Sequence, residues 1–375
     1  MAAAVGTIAI NMALLTAQAT AETAYTGLFT PTVNTTTWTL THGNFNPANI
    51  SGNQTVYQLE TPASDFIWGT GMVATSVADW STDGSDNYAI AWGQTNNLAR
   101  VSSYDDDSTV TRNEVRSAAA FFPYTLGAKS ANMNNTTVLS GNTAGLSFLN
   151  PSTGRYIIDG LPAPAGSRSG LLMPFKHGTD TTFSTNPIPN GFALSSRQLT
   201  STSWEVLNYN NDQNLEALNN WGWIYIPDTA EGVLAGHVAG NGTMTALTDA
   251  TSLLSLAGAG ANNGWTSTGY FEFLVDGGNI NPGTHALFVQ GDSADSSAQD
   301  NIWSWTPDGT TSGGANSFGV HTIDLPAWAG DTASFNFMLV PYTGVVVVPE
   351  PSTYTLVLLA AGGLALMHRR RHRRN

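Results

Sequence analysis

The sequence predicts an all-β fold, a row of tandem antiparallel β-sandwich-like units, and three observations predict it. Short runs of strand formers such as Tyr270-Phe271-Glu272-Phe273-Leu274-Val275 stop at turn clusters such as Asp276-Gly277-Gly278-Asn279. The chain carries 11 Trp, 11 Tyr and 15 Phe, enough apolar surface for a core, and 38 glycines to turn between strands. One phrase, an aromatic and apolar run closing on proline, recurs at Ala120-Phe121-Phe122-Pro123, Trp223-Ile224-Tyr225-Ile226-Pro227 and Phe337-Met338-Leu339-Val340-Pro341. Proline ends each run because it has no N–H for a ladder.

Taken in order, other phrases return with the prolines, which lie 104 and 114 residues apart. Gly154-Arg155-Tyr156-Ile157-Ile158-Asp159-Gly160 is answered by Gly269-Tyr270-Phe271-Glu272-Phe273-Leu274-Val275-Asp276-Gly277, and Gly170-Leu171-Leu172-Met173 by Ala286-Leu287-Phe288-Val289. A fainter first copy sets Asp86-Asn87-Tyr88-Ala89-Ile90-Ala91-Trp92 where the last has Asp300-Asn301-Ile302-Trp303-Ser304-Trp305. The reading is three related β units, 25–123, 124–227 and 228–341, followed by an extended linker at 342–348. This period is far above the roughly 20 to 50 residues of solenoid repeats, so each unit is expected to hold its own core, like beads in a row. Helical patterns are confined to Thr111–Phe121 and Leu215–Asn219.

Only 11% of residues are charged, and cysteine is absent, which excludes disulfide staples and Cys-based zinc sites. Lys and Arg total 13 against 27 acids, and five of the arginines crowd the last seven residues, so the body alone is more acidic than the whole. Such a surface repels phosphates, so no nucleic-acid partner is expected; an exported protein, or one that takes up divalent cations, is consistent with it.

Residues 1–21 read as a signal peptide: Ala2 to Leu15 is small and apolar, and Ala17-Gln18-Ala19 and Ala19-Thr20-Ala21 fit the small-x-small cleavage pattern. The far end, 349–375, has three parts. Pro349-Glu350-Pro351 comes first, then an apolar run over 354–367, then Arg369, Arg370, Arg371, Arg373 and Arg374. The run is shorter than the ~20 residues that span a bilayer with ease, and the arginines hold that end in the cytoplasm. In this order of motif, single transmembrane helix and basic tail, the segment resembles the bacterial PEP-CTERM sorting signal. The resemblance implies an exosortase-type membrane peptidase as a transient partner, passage through the inner membrane, and release to the cell surface or beyond in a host that makes exopolysaccharide.

No catalytic residue is assigned in the body. Gly69-Thr70-Gly71 matches only a loose dinucleotide-binding fingerprint, and Gly166-Ser167-Arg168-Ser169-Gly170 lacks the central serine of a nucleophile elbow. His42, His177, His237, His285 and His321 are too scattered in sequence to suggest a zinc pair or a triad. Glu272 is expected on the solvent side of an alternating strand. No cofactor is required; calcium is the ligand best suited to the acidic loops, with Asp105, Asp106 and Asp107 in one and Asp292, Asp295 and Asp300 in another. The reading that results is a non-enzymatic structural or binding protein of the cell surface or extracellular matrix, associated with exopolysaccharide. The alternative is a secreted polysaccharide-active enzyme, which would need two facing carboxylates.

Overall fold

The computed structural model describes residues 22–31, 38–45, 52–53, 56–59, 69–79, 88–95, 98–105, 111–112, 115–126, 128–164, 170–178, 193–210, 213–248, 264–307, 316–324, 329–343 and 345–346. The expected signal peptide, the Pro-Glu-Pro motif and the arginine tail lie outside them.

Among the described residues the fold is all-β. After β1 (Glu22–Thr23) come β2 (Tyr25–Pro31), β3 (Trp38–Gly43), β4 (Gly52–Asn53), β5 (Val56–Leu59), β6 (Gly71–Val77), β7 (Tyr88–Thr95), β8 (Leu98–Asp105), β9 (Thr111–Arg112) and β10 (Ser117–Pro123). These form two layers, ordered β3-β2-β10-β6 and β4-β5-β8-β7. Next are β11 (Lys129–Asn134), β12 (Thr137–Asn142), β13 (Ser147–Ser152), β14 (Arg155–Asp159), β15 (Leu171–Lys176), β16 (Ala193–Thr200), β17 (Ser203–Tyr209) and β18 (Asn220–Ile226). Their layers are β12-β11-β18-β15 and β13-β14-β17-β16. Last come β19 (Leu234–Val238), β20 (Met244–Ala246), β21 (Gly264–Ser267), β22 (Tyr270–Phe273), β23 (His285–Asp292), β24 (Asn301–Thr306), β25 (Phe318–Asp324), β26 (Ala329–Gly330), β27 (Phe335–Pro341) and β28 (Val345–Val346). Their layers are β20-β19-β27-β23 and β21-β22-β25-β24.

Apart from the two-residue strands β1, β9, β26 and β28, each set has eight strands, and each has the order 2-1-8-5 in one layer and 3-4-7-6 in the other. Pro123 and Pro341 end the eighth strands β10 and β27, and Pro227 directly follows β18. Arg155–Asp159 and Tyr270–Phe273 are both fourth strands, entered through Gly154 and Gly269. Those two glycines have φ of +70° and +80°, a region open to glycine and costly for other residues.

Aromatic side chains join the layers. Tyr156 on β14 meets Trp221 on β18 at 5.3 Å, and at the matching positions of the last set Phe271 on β22 meets Phe335 on β27 at 5.5 Å. In the first set Phe29 and Phe121 pack with Leu59, Ala91, Ala99 and Val101 of the opposite layer. Burying side chains of this size stabilises by roughly 1.5–3 kcal/mol each.

The sandwiches are not separate beads. β16 runs parallel to β23 through Ser195↔Gly291 and Ser196↔Asp292, and β24 runs parallel to β6 through Ser304↔Val77. A third parallel bridge, Ala91↔His177, sets the end of β15 against β7, where the Gly178 N–H donates to the Ala91 carbonyl at 2.9 Å. Each contact joins the fifth strand of one set to the sixth of another, so the three close into a ring. The segment after Pro341 is likewise engaged: Val345 and Val346 pair with Thr23 and Glu22, bringing the start of the body beside the exit to the tail.

Two expectations change. Ser117–Pro123, which overlaps the end of the segment patterned as helix over Thr111–Phe121, is a strand, and Leu215–Asn219, the other segment so patterned, is not helical. The alanines of that strand are helix formers, but Ala118, Ala119 and Ala120 are buried between β2 and β6, where tertiary pairing overrides propensity. Glu272 has 0% exposure and accepts a hydrogen bond from the Ser317 hydroxyl at 2.9 Å. Alternation sets it opposite Phe271 and Phe273, but the outer face of that strand is covered.

Candidate functional sites

The ring leaves a cleft of about 80 Å³ where its three seams converge, lined by fifth and sixth strands of every set. Register shows how alike the contributions are. On the fifth strands Gly71 and His285 face Pro123 and Pro341, while Leu171 faces Ile226, the residue before Pro227. Four residues on from Gly71, Gly170 and His285 stand Thr75, Pro174 and Val289, and next to these Ser76, Phe175 and Gln290; all six line the cleft. The sixth strands supply Ala89, Leu194 and Trp303 from equivalent positions. The cleft thus lies on the pseudo-threefold axis. Lys176 is the one charged residue among those that line it.

Around the cleft, seam hydrogen bonds are dense. Thr75 Oγ1 donates to the Ala89 carbonyl at 2.9 Å. Gln290 Nε2 donates to the Leu172 carbonyl at 3.0 Å and to Ser196 Oγ at 2.5 Å, and Ser196 Oγ donates to the same carbonyl at 2.7 Å. His177 is fully buried with Nε2 2.9 Å from the Val73 carbonyl, and burial holds its ring down at about 4 despite that bond. A neutral Nε2–H tautomer, donating to the carbonyl, satisfies this geometry.

The acidic candidates are placed differently. Asp105 closes β8, while Asp106 and Asp107 lie outside the described residues. Asp292, Asp295 and Asp300 share one stretch but do not form a ligand shell. Asp295 Oδ1 accepts from the N–H and hydroxyl of Ser297, and Oδ2 from the N–H and hydroxyl of Ser334. Burial raises its pKa, yet these bonds outweigh burial and hold it below the ordinary carboxylate range. Asp292 accepts from the Ala294 N–H and lies 3.7 Å from His237. Burial, then the nearby Asp324 carboxylate, push Asp300 up to about 6. Among the described residues no three His, Asp or Glu side chains gather in a way that could hold a metal ion.

Other sequence candidates serve the fold. Gly69 turns the chain into strand β6, where a phosphate cradle would need a helix. Trp221, Trp223, Trp303 and Trp305 are buried, and Trp328 lies outside the described residues. Glu205 is buried between Arg155 and Arg197, accepting from Nε of both. Sequence reasoning missed the axial cleft, since its lining is scattered from Thr75 to Trp303 and its equivalent positions share no residue type.

Comparison with known families adds the chain end. Residues 347–374 match the family described as PEP-CTERM protein-sorting motif. The match includes Pro349, Glu350 and Pro351 and all five clustered arginines, and it marks an exported chain that exosortase sorts at the membrane. No curated protein and no solved structure matches the chain.

Proposed function

We propose that the chain is a surface or matrix binding protein, a three-sandwich head delivered by a disposable sorting tail and associated with exopolysaccharide outside the cell. In this reading the three sets of strands are copies of one ancestral unit, the three units read from the sequence, fused in tandem. The ring is a rigid display surface. The observation that carries the proposal is the combination of the matched tail with a head in which three acids are committed to structure, the buried Glu205 to Arg155 and Arg197, the buried Glu272 to Ser317, and the half-buried Asp295 to Ser297 and Ser334. An acid hydrolase needs carboxylates held free at a cleft, and the axial cleft is lined by none.

A second reading, a secreted polysaccharide-active enzyme, is favoured by one observation: Asp300, raised to about 6, stands near Asp324, itself raised by burial and by Asp331. A raised carboxyl beside a second one is the arrangement of a general acid and its partner. One assay separates the two. The purified protein is incubated with exopolysaccharide from an exosortase-bearing host, and both co-sedimentation and new reducing ends are measured. Binding without chain cleavage is expected, unchanged in Asp300→Asn. Release of reducing ends that disappears in Asp300→Asn contradicts the binding role and establishes the enzyme.

A further inference from the structure

We propose that the outer face of the second sandwich binds a segment of acidic polysaccharide, gripping a sugar carboxylate between Arg155 and Arg197. The proposal deepens the polysaccharide-binding role and rests on it. Register places the residues. Leu149 on β13 pairs with Ile157 on β14, Ile157 with Glu205 on β17, and Glu205 with Arg197 on β16, so the four form one row across the layer. Phe148 and Tyr156 turn to the opposite layer, where they meet Trp223 and Trp221, and alternation therefore sets Leu149, Ile157 and Arg155 on the outer face. That face is open: Leu149, at one end of the row, is 55% exposed, and Leu199, two residues on from Arg197, is 39% exposed.

Glu205 organises the chemistry. It is buried, with one carboxylate oxygen taken by Arg155 Nε and the other by Arg197 Nε. Two cations on one anion leave a net positive charge. Only Nε of each is engaged: the Nη groups of both arginines meet no partner among the described residues, and the two side chains are 40% and 35% exposed. Glu205 thus holds two guanidinium forks in place with their ends free, and such an end takes a carboxylate by paired hydrogen bonds. Fixing both forks before binding lowers the ordering cost of the contact.

The fold alone does not call for this arrangement. In the third sandwich, register puts Tyr270, Gly319 and Thr306 at the positions of Arg155, Glu205 and Arg197, and the same strands form. A buried ion triad is also a poor source of stability, since desolvation consumes much of its attraction. In a chain with 27 acids against 13 bases, five of them in the tail, two arginines brought to one point mark a place for an anion. Ile157 and Leu149 beside them decide which anion. Their apolar surface suits the C–H face of a sugar ring and gives nothing to a free phosphate. Three strand spacings of roughly 4.8 Å make the row about 14 Å long, enough for a few linked rings crossing an open face. Asp159, exposed two residues beyond Ile157 on the side away from Arg155, repels a carboxylate that lies out of register.

The test titrates the full chain, purified in detergent, with tetragalacturonate and, as the matched neutral probe, its methyl ester. Binding is read by calorimetry and the fold by melting temperature. The wild type is expected to take the acid about tenfold more tightly than the ester, and Arg197→Lys, which keeps the charge and removes the fork, to lose most of that preference. Glu205→Gln separates an oriented grip from simple attraction: it makes the face more positive yet releases both arginines, and a severalfold weaker acid affinity is expected. If either variant does not fold, the triple replacement Arg155→Tyr, Glu205→Gly and Arg197→Thr, which installs the residues of the third sandwich, takes its place and is expected to abolish the preference. A wild type that does not prefer the acid overturns the site, as does an acid affinity unaltered in Arg197→Lys or the triple variant, or not lowered in Glu205→Gln. Host polysaccharide that sediments equally with wild type and the triple variant overturns this site while the wider binding role stands. Polysaccharide that fails to sediment with a protein that still prefers the acid overturns the wider role alone.

Discussion

Between pH 7 and pH 4.5, wild-type protein is expected to lose about 2 kcal/mol more stability than His177→Gln, measured as the shift in denaturation midpoint multiplied by its slope. The cause is the fully buried His177 ring at the seam of the first and second sandwiches, held at about 4 against an ordinary 6.5. A histidine with a depressed folded pKa binds its proton more readily when unfolded, so its share of stability is intact above pH 6.5 and is lost as the pH falls toward 4. Burial depresses His285 and His321 as well, to about 4 and about 3, and these act in the same direction. Asp300 opposes them. Raised to about 6, it is strained above that pH and relieved as acid protonates it. Because Asp300, His285 and His321 are present in both proteins, the comparison isolates His177. Glutamine keeps a donor for the Val73 carbonyl and removes the titration. Equal pH profiles for the two proteins would show that the ring is not buried at a closed seam.

Gly222→Ala should destabilise the protein by about 1–3 kcal/mol through overpacking at the same place. A methyl on Gly222 would stand 2.2 Å from Cε1 of His177, inside any real contact distance. The ring cannot swing aside without giving up its bond to Val73, and the change opens the seam between β7 and β15. In a His177→Ala background the same substitution should cost little, which a double-mutant cycle by chemical denaturation would show. Additive costs would mean that the two residues are not in contact.

Much of the architecture was legible in the sequence because the local signals are strong. Pro123 and Pro341 end strands since proline cannot extend a ladder, and Pro227 follows one. The glycines before Arg155 and Tyr270 mark positive-φ turns into equivalent strands. The phrase beginning at Gly170 was aligned one residue out, because apolar runs such as Leu171-Leu172-Met173 and Leu287-Phe288-Val289 slide on one another without penalty. Only pairing to the proline strands sets Gly170 against His285. Alanines 118 to 120 read as helix because propensity is local and burial between two strands is not. Ring closure left no trace in the chain. Its contacts are parallel bridges of one or two residues between segments about 90 to over 200 positions apart, and the residues that the sixth strands bring to them, Ala91, Ser195, Ser196 and Ser304, are small and common. For the same reason the axial cleft could not be anticipated. The sorting signal could, since its three parts are contiguous and each has a composition that little else requires.

The most direct test of the account is the intact mass of the protein recovered from the extracellular fraction of an exosortase-bearing host. A tail that is matched as a sorting motif and a head closed on itself through β1 and β28 together predict a product that keeps the body and has lost the chain from near Pro351 onward. A mass that ends within a few residues of Pro349-Glu350-Pro351, and shifts to the uncut value when exosortase is deleted, is the predicted result. Extracellular protein that still carries Arg369 to Asn375 would contradict it.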